Sequence, residues 1–327
     1  MNEVRPNIVI SKCLGIDSCR FNGQRIRFPL LESLKNKMNL IPVCPEVEIG
    51  LGIPRNAVRL LRKKGQTFIV NSKNGKDLTE KMNNFIGMFF SKIKKKNIDG
   101  FILKSSSPTC GIKSVKVYNK TGKASAISKD GRGVFGKAII NKFKNRCVAV
   151  EDDGRLRNFE IREHFFTKLY TFKRFKNNVG KNLNINNLIK FHTYNKYLLM
   201  CYNQENLKKM GQIVANNSLE NIDKKVKKYK KLLISSFETR PRYTSNINVL
   251  LHTFGYFSEK INTEEKAFFL DNLEKYRNNK IPLSVLLKIL QSWTIRFEED
   301  YLKKQSFFKP YPEALIDITD SGKGRNY

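Results

Sequence analysis

Apolar and polar positions alternate differently in the two halves of the chain. In the first half, short apolar runs are interleaved with longer amphipathic stretches. Asn7-Ile8-Val9-Ile10, Leu40-Ile41-Pro42-Val43 and Gly100-Phe101-Ile102-Leu103 are each rich in β-branched or aromatic side chains and bounded by turn residues, which predicts three buried strands. Apolar residues at helical spacing predict a short helix at 29–35. They predict a longer one at 78–95, where Met82, Phe85, Ile86, Phe89, Phe90 and Ile93 share a face. Residues 58–61 and 68–70 read as a strand pair about Lys63-Lys64-Gly65, and 115–118 and 147–150 as further strands. A glycine turn at 131–133 leads into a helix ending at Phe143. A last helix, through Arg162, Phe165 and Leu169, closes the region. This alternation predicts an α/β domain over 1–172, with a mainly parallel sheet and helices on both faces.

Residues 173–185 are polar and basic and contain Gly180, so a linker is expected there. Beyond it strand signals cease. Helical periodicity at 188–202, 207–215, 222–237, 246–260, 264–278 and 283–301 predicts an all-α domain over 186–327.

Each of the three strands in the first half runs into a cysteine. The sequences are Ser11-Lys12-Cys13-Leu14-Gly15, Cys44-Pro45-Glu46, and Lys104-Ser105-Ser106-Ser107-Pro108-Thr109-Cys110-Gly111. Parallel sheets bind ligands at the carboxyl ends of their strands, where these three thiols would meet. Three thiolates suit a soft metal centre. An iron–sulfur cubane is saturated by four, so three leave one iron open to an incoming sulfur or oxygen. Glu46, two residues past Cys44, is placed for general acid or base work. Ser107 and Lys104 precede Cys110, and Asp17 follows Cys13. The alternative, ordinary buried thiols, stays open on these residues alone. Cys147 and Cys201 lie in apolar runs and read as packing. Cys19 shares a loop with Cys13 and is harder to set aside. With no Cys-x-x-Cys pair, a zinc ribbon and a thioredoxin motif are excluded, and only three histidines, His164, His192 and His252, leave few residues for a His-rich metal site.

Charge adds a candidate partner. Sixty-two Lys and Arg against 29 Asp and Glu give a net charge of +33, with +20 in 1–172 and +13 in 173–327. The excess is spread along the chain, and such a field attracts polyanions, nucleic acid first. A composition rich in Lys, Asn and Ile, as AT-rich genes encode, raises charge without any binding role. No apolar run approaches the roughly 18–20 residues of a membrane span, and residues 1–6 show no signal-peptide pattern, so a soluble cytoplasmic protein is expected.

These motifs carry a resemblance. The Cys13 motif with Cys19-Arg20-Phe21-Asn22-Gly23-Gln24, Val43-Cys44-Pro45-Glu46-Val47 with Gly50-Leu51-Gly52-Ile53-Pro54-Arg55, and the Lys104–Gly111 stretch resemble the thiouracil desulfidase (TudS-like) family over about 7–170. The resemblance implies a [4Fe–4S] cluster on Cys13, Cys44 and Cys110, with Glu46 and Ser107 as catalytic carboxylate and hydroxyl. Gly52-Ile53 stands where Pro-Thr is commoner, and Thr109 where Ser is. The second half resembles the YbgA-like helical domain through Phe191-His192-Thr193, Asn248-Val249-Leu250 with His252, Gly255-Tyr256-Phe257, and Pro310-Tyr311-Pro312-Glu313.

The two-domain arrangement is similar to that of tRNA 4-thiouridine desulfidases. It implies an iron–sulfur-dependent, non-redox desulfuration of 4-thiouridine in tRNA, with tRNA as the partner; no membrane is expected and no obligate protein partner is implied. Arg240, Arg242, Tyr243, His192 and His252 are the candidate RNA contacts. The same chemistry on free 2-thiouracil or thiouridine nucleotides, and a non-enzymatic iron–sulfur RNA-binding or sensor protein, are the alternatives.

Overall fold

In the computed structural model, which describes residues 4–216 and 221–322, the three apolar runs pair as neighbouring strands. In chain order the first region contains β1 (Asn7–Ser11), α1 (Leu31–Lys37), β2 (Asn39–Val43), α2 (Pro45–Glu48), β3 (Val58–Lys63), β4 (Gln66–Asn71) and α3 (Thr79–Ile93). It continues with β5 (Gly100–Leu103), β6 (Val115–Tyr118), β7 (Ser128–Gly131), α4 (Val134–Phe143), β8 (Ala149–Asp152) and α5 (Phe159–Phe175). One sheet has the order β2-β1-β5-β8 and is parallel throughout. Its register sets Val9 opposite Ile41 and Phe101, and Ile8 opposite Leu40 and Gly100.

Side chains alternate between the faces of this sheet. Val9, Val43, Phe101 and Leu103 enter a core shared with Met82, Phe85 and Phe89 of α3 and Phe135 and Ile139 of α4. The opposite face meets α5: a Cβ built on Gly100 would lie 3.0 Å from Ile8 and 3.1 Å from Leu169. The expected parallel sheet, flanked by helices on its two faces, is therefore present.

A second sheet, β4-β3-β6-β7, was not expected as a separate layer. Its β3–β4 hairpin follows the apolar pattern, and β6 joins β3 in parallel. The edge strand β7, Ser128-Lys129-Asp130-Gly131, has no alternation to betray it, because the one buried position is a glycine packed on Val115, Val117 and Leu60. Its inward approach leaves no room for a Cβ.

The chain divides into two compact units, one reaching Lys173 and including residues from Pro312 onward, the other Arg174–Tyr311. This corrects the expected boundaries twice. The stretch taken for a linker begins as the end of α5 and continues as a turn of π-helix, Lys176–Gly180, because Phe172, Phe175 and Val179 are buried. Lys173 is also held, by the buried Asp99 carboxylate at 2.7 Å. The residues after Pro312 belong with the first unit because Arg162, itself fully buried, donates to the carbonyls of Leu156, Asp317 and Thr319.

The second unit is helical, as expected: α6 (Ile185–Tyr194), α7 (Lys196–Tyr202), α8 (Gln204–Ala215), α9 (Ile222–Ser236), α10 (Tyr243–Phe254), α11 (Thr263–Arg277), α12 (Leu283–Arg296) and α13 (Asp300–Lys303). The single helix expected over 188–202 breaks at the buried Asn195. Its amide donates to Phe191 O at 2.7 Å and accepts from Ser306 Oγ at 2.8 Å. Among the described residues no helix is long and apolar enough to cross a membrane.

Arg162→Ala removes a fully buried side chain, strands the buried Leu156 carbonyl and releases the C-terminal strap from its bonds at Asp317 and Thr319, so it should cost about 2–5 kcal/mol. Urea unfolding checks this, and an unchanged midpoint would show that the strap contributes nothing.

Candidate functional site

Because β1 lies between β2 and β5 and all three run the same way, their carboxyl ends open onto one edge. Cys13 stands two residues past β1, Cys44 directly after β2, and Cys110 at the end of the loop that follows β5. All three line one cavity of about 320 Å³, together with Cys19, Phe21, Glu46, Arg55, Lys104 and Ser107.

Local structure aims each thiol. Cys44 is the N-terminal flank of α2, and its carbonyl accepts from the amides of Val47 and Glu48. Pro45 at the first helical position suits this turn, since no amide is needed there. Lys12 N donates to Val43 O at 2.8 Å, which ties the Cys13 loop to the end of β2. The Cys110 loop is wound by Ser107, whose Oγ accepts from the amides of Thr109 at 3.2 Å and Cys110 at 3.1 Å.

The start of α4 then clamps this loop. Gly133 N donates to Gly111 O, Val134 N to Pro108 O and Gly136 N to Thr109 O. A Cβ on Gly136 would come within 2.5 Å of Cys110 O, and one on Gly133 within 2.5 Å of Thr109 O, so only glycine permits the approach.

Glu46 is anchored through both oxygens. Oε2 accepts from Arg55 Nε at 2.9 Å and Nη2 at 2.7 Å, and Oε1 accepts from Thr109 Oγ1 at 2.8 Å. The Arg55 side chain is only 5% exposed, and it also donates to Cys19 O at 3.1 Å and Gly52 O at 3.0 Å. Arg55, Thr109 and Cys19 were not singled out as site residues from sequence. The signals were there: Arg55 ends the Gly-Leu-Gly-Ile-Pro-Arg stretch, and Cys19 opens the Cys-Arg-Phe-Asn-Gly stretch.

The thiols sit where charge is disfavoured. Burial pushes Cys13 up to about 12, helped by a charge on Cys44 and opposed by Lys104. Burial, then Cys44, pushes Cys19 up to about 12. The wholly buried Cys110 is raised well above the ordinary thiol range by burial, and a hydrogen bond with Ser11 opposes this. Lys104 Nζ is held by Ser105 Oγ at 2.8 Å and both Asp153 oxygens at 3.1 Å. Asp17 is engaged outside the cavity, paired with Lys12 at 2.6 Å. Cys147 is buried beside β8, and the buried Cys201 contacts Asn246 Oδ1 at 2.6 Å, so both pack as expected. Among the described residues no three Cys, His, Asp or Glu side chains close on a single metal ion.

The residues expected to touch RNA are dispersed over the second unit. Arg242 and Tyr243 are exposed at the start of α10, and Arg240 beside them is half-buried. His252 is exposed in the last turn of the same helix. His192 is half-buried with Nδ1 3.1 Å from Tyr229 Oη, and burial lowers its pKa to about 4. It is neutral at physiological pH and offers no cation to a phosphate.

Residues 8–153 match the family model described as 2-thiouracil desulfurase. Residues 196–312, within and just beyond the second unit, match the model described as protein of unknown function (DUF1722). The chain is 28% identical over 147 residues to the uncharacterized protein YbbK of Bacillus subtilis (strain 168), covering 43% of this chain and 94% of that one. It is 25% identical over 138 residues to the uncharacterized protein YbgA of Escherichia coli (strain K12), covering 41% and 80%. A solved structure titled [4Fe-4S]-dependent thiouracil desulfidase TudS is similar at 26% identity and a TM-score of 0.36, covering 46% of this chain and 93% of that one.

In the first unit, the Gly136 contact has a measurable consequence. Gly136→Ala overpacks the Cys110 loop at a cost of about 1–3 kcal/mol, which opens it roughly five- to 150-fold more often. Cys110 should then react with a maleimide faster by that factor, as read by peptide mass spectrometry. An unchanged rate would mean that α4 does not hold the loop.

Proposed function

We propose that this protein is a desulfidase that exchanges the sulfur of a thiolated uracil for oxygen, with 4-thiouridine in tRNA as its substrate. The observation that carries the reading is the convergence of Cys13, Cys44 and Cys110 with Glu46 in one cavity of about 320 Å³ at the carboxyl edge of a parallel sheet. The match of residues 8–153 to the 2-thiouracil desulfurase model supports the reaction class. The net charge of +33 supports a polyanionic substrate.

The donor set fits an iron–sulfur cluster. Four thiols, Cys13, Cys19, Cys44 and Cys110, line the cavity, and thiolates are the ligands such clusters take. Cys13, Cys44 and Cys110 would hold such a [4Fe–4S] cluster, which when bound supplies an iron free of protein ligands as a soft Lewis acid for sulfur.

The rest falls to this chain's own residues. The reaction is a hydrolysis: water oxygen bonds to the ring carbon as the carbon–sulfur bond breaks, and the sulfur leaves as sulfide with the protons of water. No electron is gained or lost overall. Glu46 Oε2 is saturated by two Arg55 donors, whereas Oε1 accepts only from Thr109 and keeps a lone pair. Oε1 is therefore the atom at which the attacking water is oriented and its proton received. Ser107 Oγ accepts two amides, leaving its own proton to donate into the cavity. Lys104 lies beside Cys13 and favours its charged form.

The test uses protein reconstituted anaerobically. Cys13→Ala, Cys44→Ala and Cys110→Ala should each lose the visible absorption of the cluster, and Cys19→Ala should keep it. Glu46→Gln should keep the cluster and lose roughly 100-fold or more in sulfide release. The parent should convert 4-thiouridine to uridine in tRNA, as nucleoside analysis reads. Sulfide from free 2-thiouracil alone would replace the tRNA substrate with the free base. An intact cluster with no sulfide from either substrate would favour a sensor.

A further inference from the structure

The second sheet carries a charge pattern that the cavity chemistry leaves unused. Over the whole chain 62 Lys and Arg stand against 29 Asp and Glu; in 58–71 and 115–131, which build this sheet and its connections, eight stand against Asp130 alone. A lysine-rich composition raises charge everywhere, but it does not strip one sheet of carboxylates. Lys63, Lys64, Lys116, Lys120, Lys123 and Lys129 are exposed, and among the described residues they have no carboxylate partner. Arg62 reaches Asp130 at 3.4 Å. Like charges gathered on neighbouring strands destabilise a sheet, so this arrangement gains only when anions are brought to it.

The sheet also starts at the cavity. Arg55, Ala57 and Val58 line the cavity, and β3 begins at Val58. β6 follows soon after Cys110 and runs parallel to β3. From Val58 the strand leads away to the Lys63-Lys64-Gly65 turn, a span of about 20 Å for six residues. Arg59 lies over the Tyr118 ring at 4.3 Å and donates to the carbonyls of Lys120 and Gly122, which fixes the connection that carries Lys120 and Lys123. A pyrimidine held in the cavity cannot reach these cations. The phosphates of neighbouring nucleotides can.

We propose that the second sheet of the first unit is the docking surface for the backbone of an RNA whose thiolated base enters the cavity. This rests on the desulfidase reading above for the base, but the surface is tested separately. The variant combines Lys63→Gln, Lys64→Gln, Lys116→Gln and Lys120→Gln, none of which lines the cavity. With the full-length holo-protein and a fluorescein-labelled tRNA transcript, anisotropy should show binding weakened roughly tenfold or more. The slope of log Kd against log salt should fall by about one per lysine removed.

Replacing the same four lysines by arginine should retain the binding. Sulfide release from free 2-thiouracil should be unchanged in both variants. A glutamine variant with the parent's Kd and slope overturns the proposal. So does equal binding, and equal loss, for a DNA duplex of the same length. If the parent releases no sulfide from any substrate, the desulfidase reading falls, and the anisotropy slopes still decide the surface.

Discussion

Because β1 pairs in parallel with both β2 and β5, three separate stretches of chain leave the sheet at one edge, and everything at the site follows from that edge. The pairing is enforced by burial on both faces. Ile8, Val9 and Ile10 are fully buried, as are Phe101, Ile102 and Leu103, so a slip of one residue would still bury apolar side chains but would misplace Gly100. Only glycine fits where Ile8, Leu169 and Ala149 O converge. The register, and with it the relative height of the Cys13 and Cys110 loops, is therefore pinned by a position that has no side chain.

Strand pairing alone does not hold the thiols, since each lies on a loop or a helix start beyond the ladder. The holding is done by two polar ties. Arg55 joins Glu46, Gly52 and the Cys19 carbonyl, while Thr109 returns from the Cys110 loop to the other oxygen of Glu46. Glu46, proposed above as the reactive carboxylate, is thus also the bolt between the Cys44 and Cys110 segments. A charged pair this far buried is strongly destabilising when half of it is removed. Changes at Glu46 or Arg55 therefore act on geometry as well as chemistry, and Gln, which keeps the shape and an acceptor oxygen, separates the two.

The parallel sheet, the three strand-end cysteines and the hairpin about Lys63-Lys64-Gly65 were legible because each rests on local apolar pattern and turn chemistry. What was not legible depends on contacts distant in sequence. β7 has no apolar alternation to read. The break at Asn195 depends on Ser306, more than a hundred residues on. The C-terminal strap depends on carbonyls presented to Arg162, and carbonyls carry no sequence signature. At the site, Glu46 and Ser107 were readable from their proximity to cysteines, whereas Arg55 was read only as the end of a Gly/Pro loop. Gly133 and Gly136 looked like turn and helix residues, and their role in seating the Cys110 loop follows only from the close approach of backbones. His192 shows the converse: a residue named as a candidate RNA contact is half-buried against Tyr229, where burial lowers its pKa.

The balance of charge in the cavity argues for what the thiols are for. Of the lining cations, Arg55 is matched by Glu46, and Lys104 is matched by Asp153. Arg20, stacked 5.1 Å from the Phe21 ring, remains. Three thiolates would add three negative charges against that one cation, and burial already holds Cys13 and Cys110 in the protonated form. The protein therefore does not itself supply the charge needed to ionise Cys13 and Cys110. Simple packing would be served by apolar side chains, without placing three thiols around an open cavity or surrounding them with matched ion pairs. The cluster proposed above would, as a soft cationic centre, displace the thiol protons and balance these charges, whereas the Arg55–Glu46 and Lys104–Asp153 pairs are already matched within the protein.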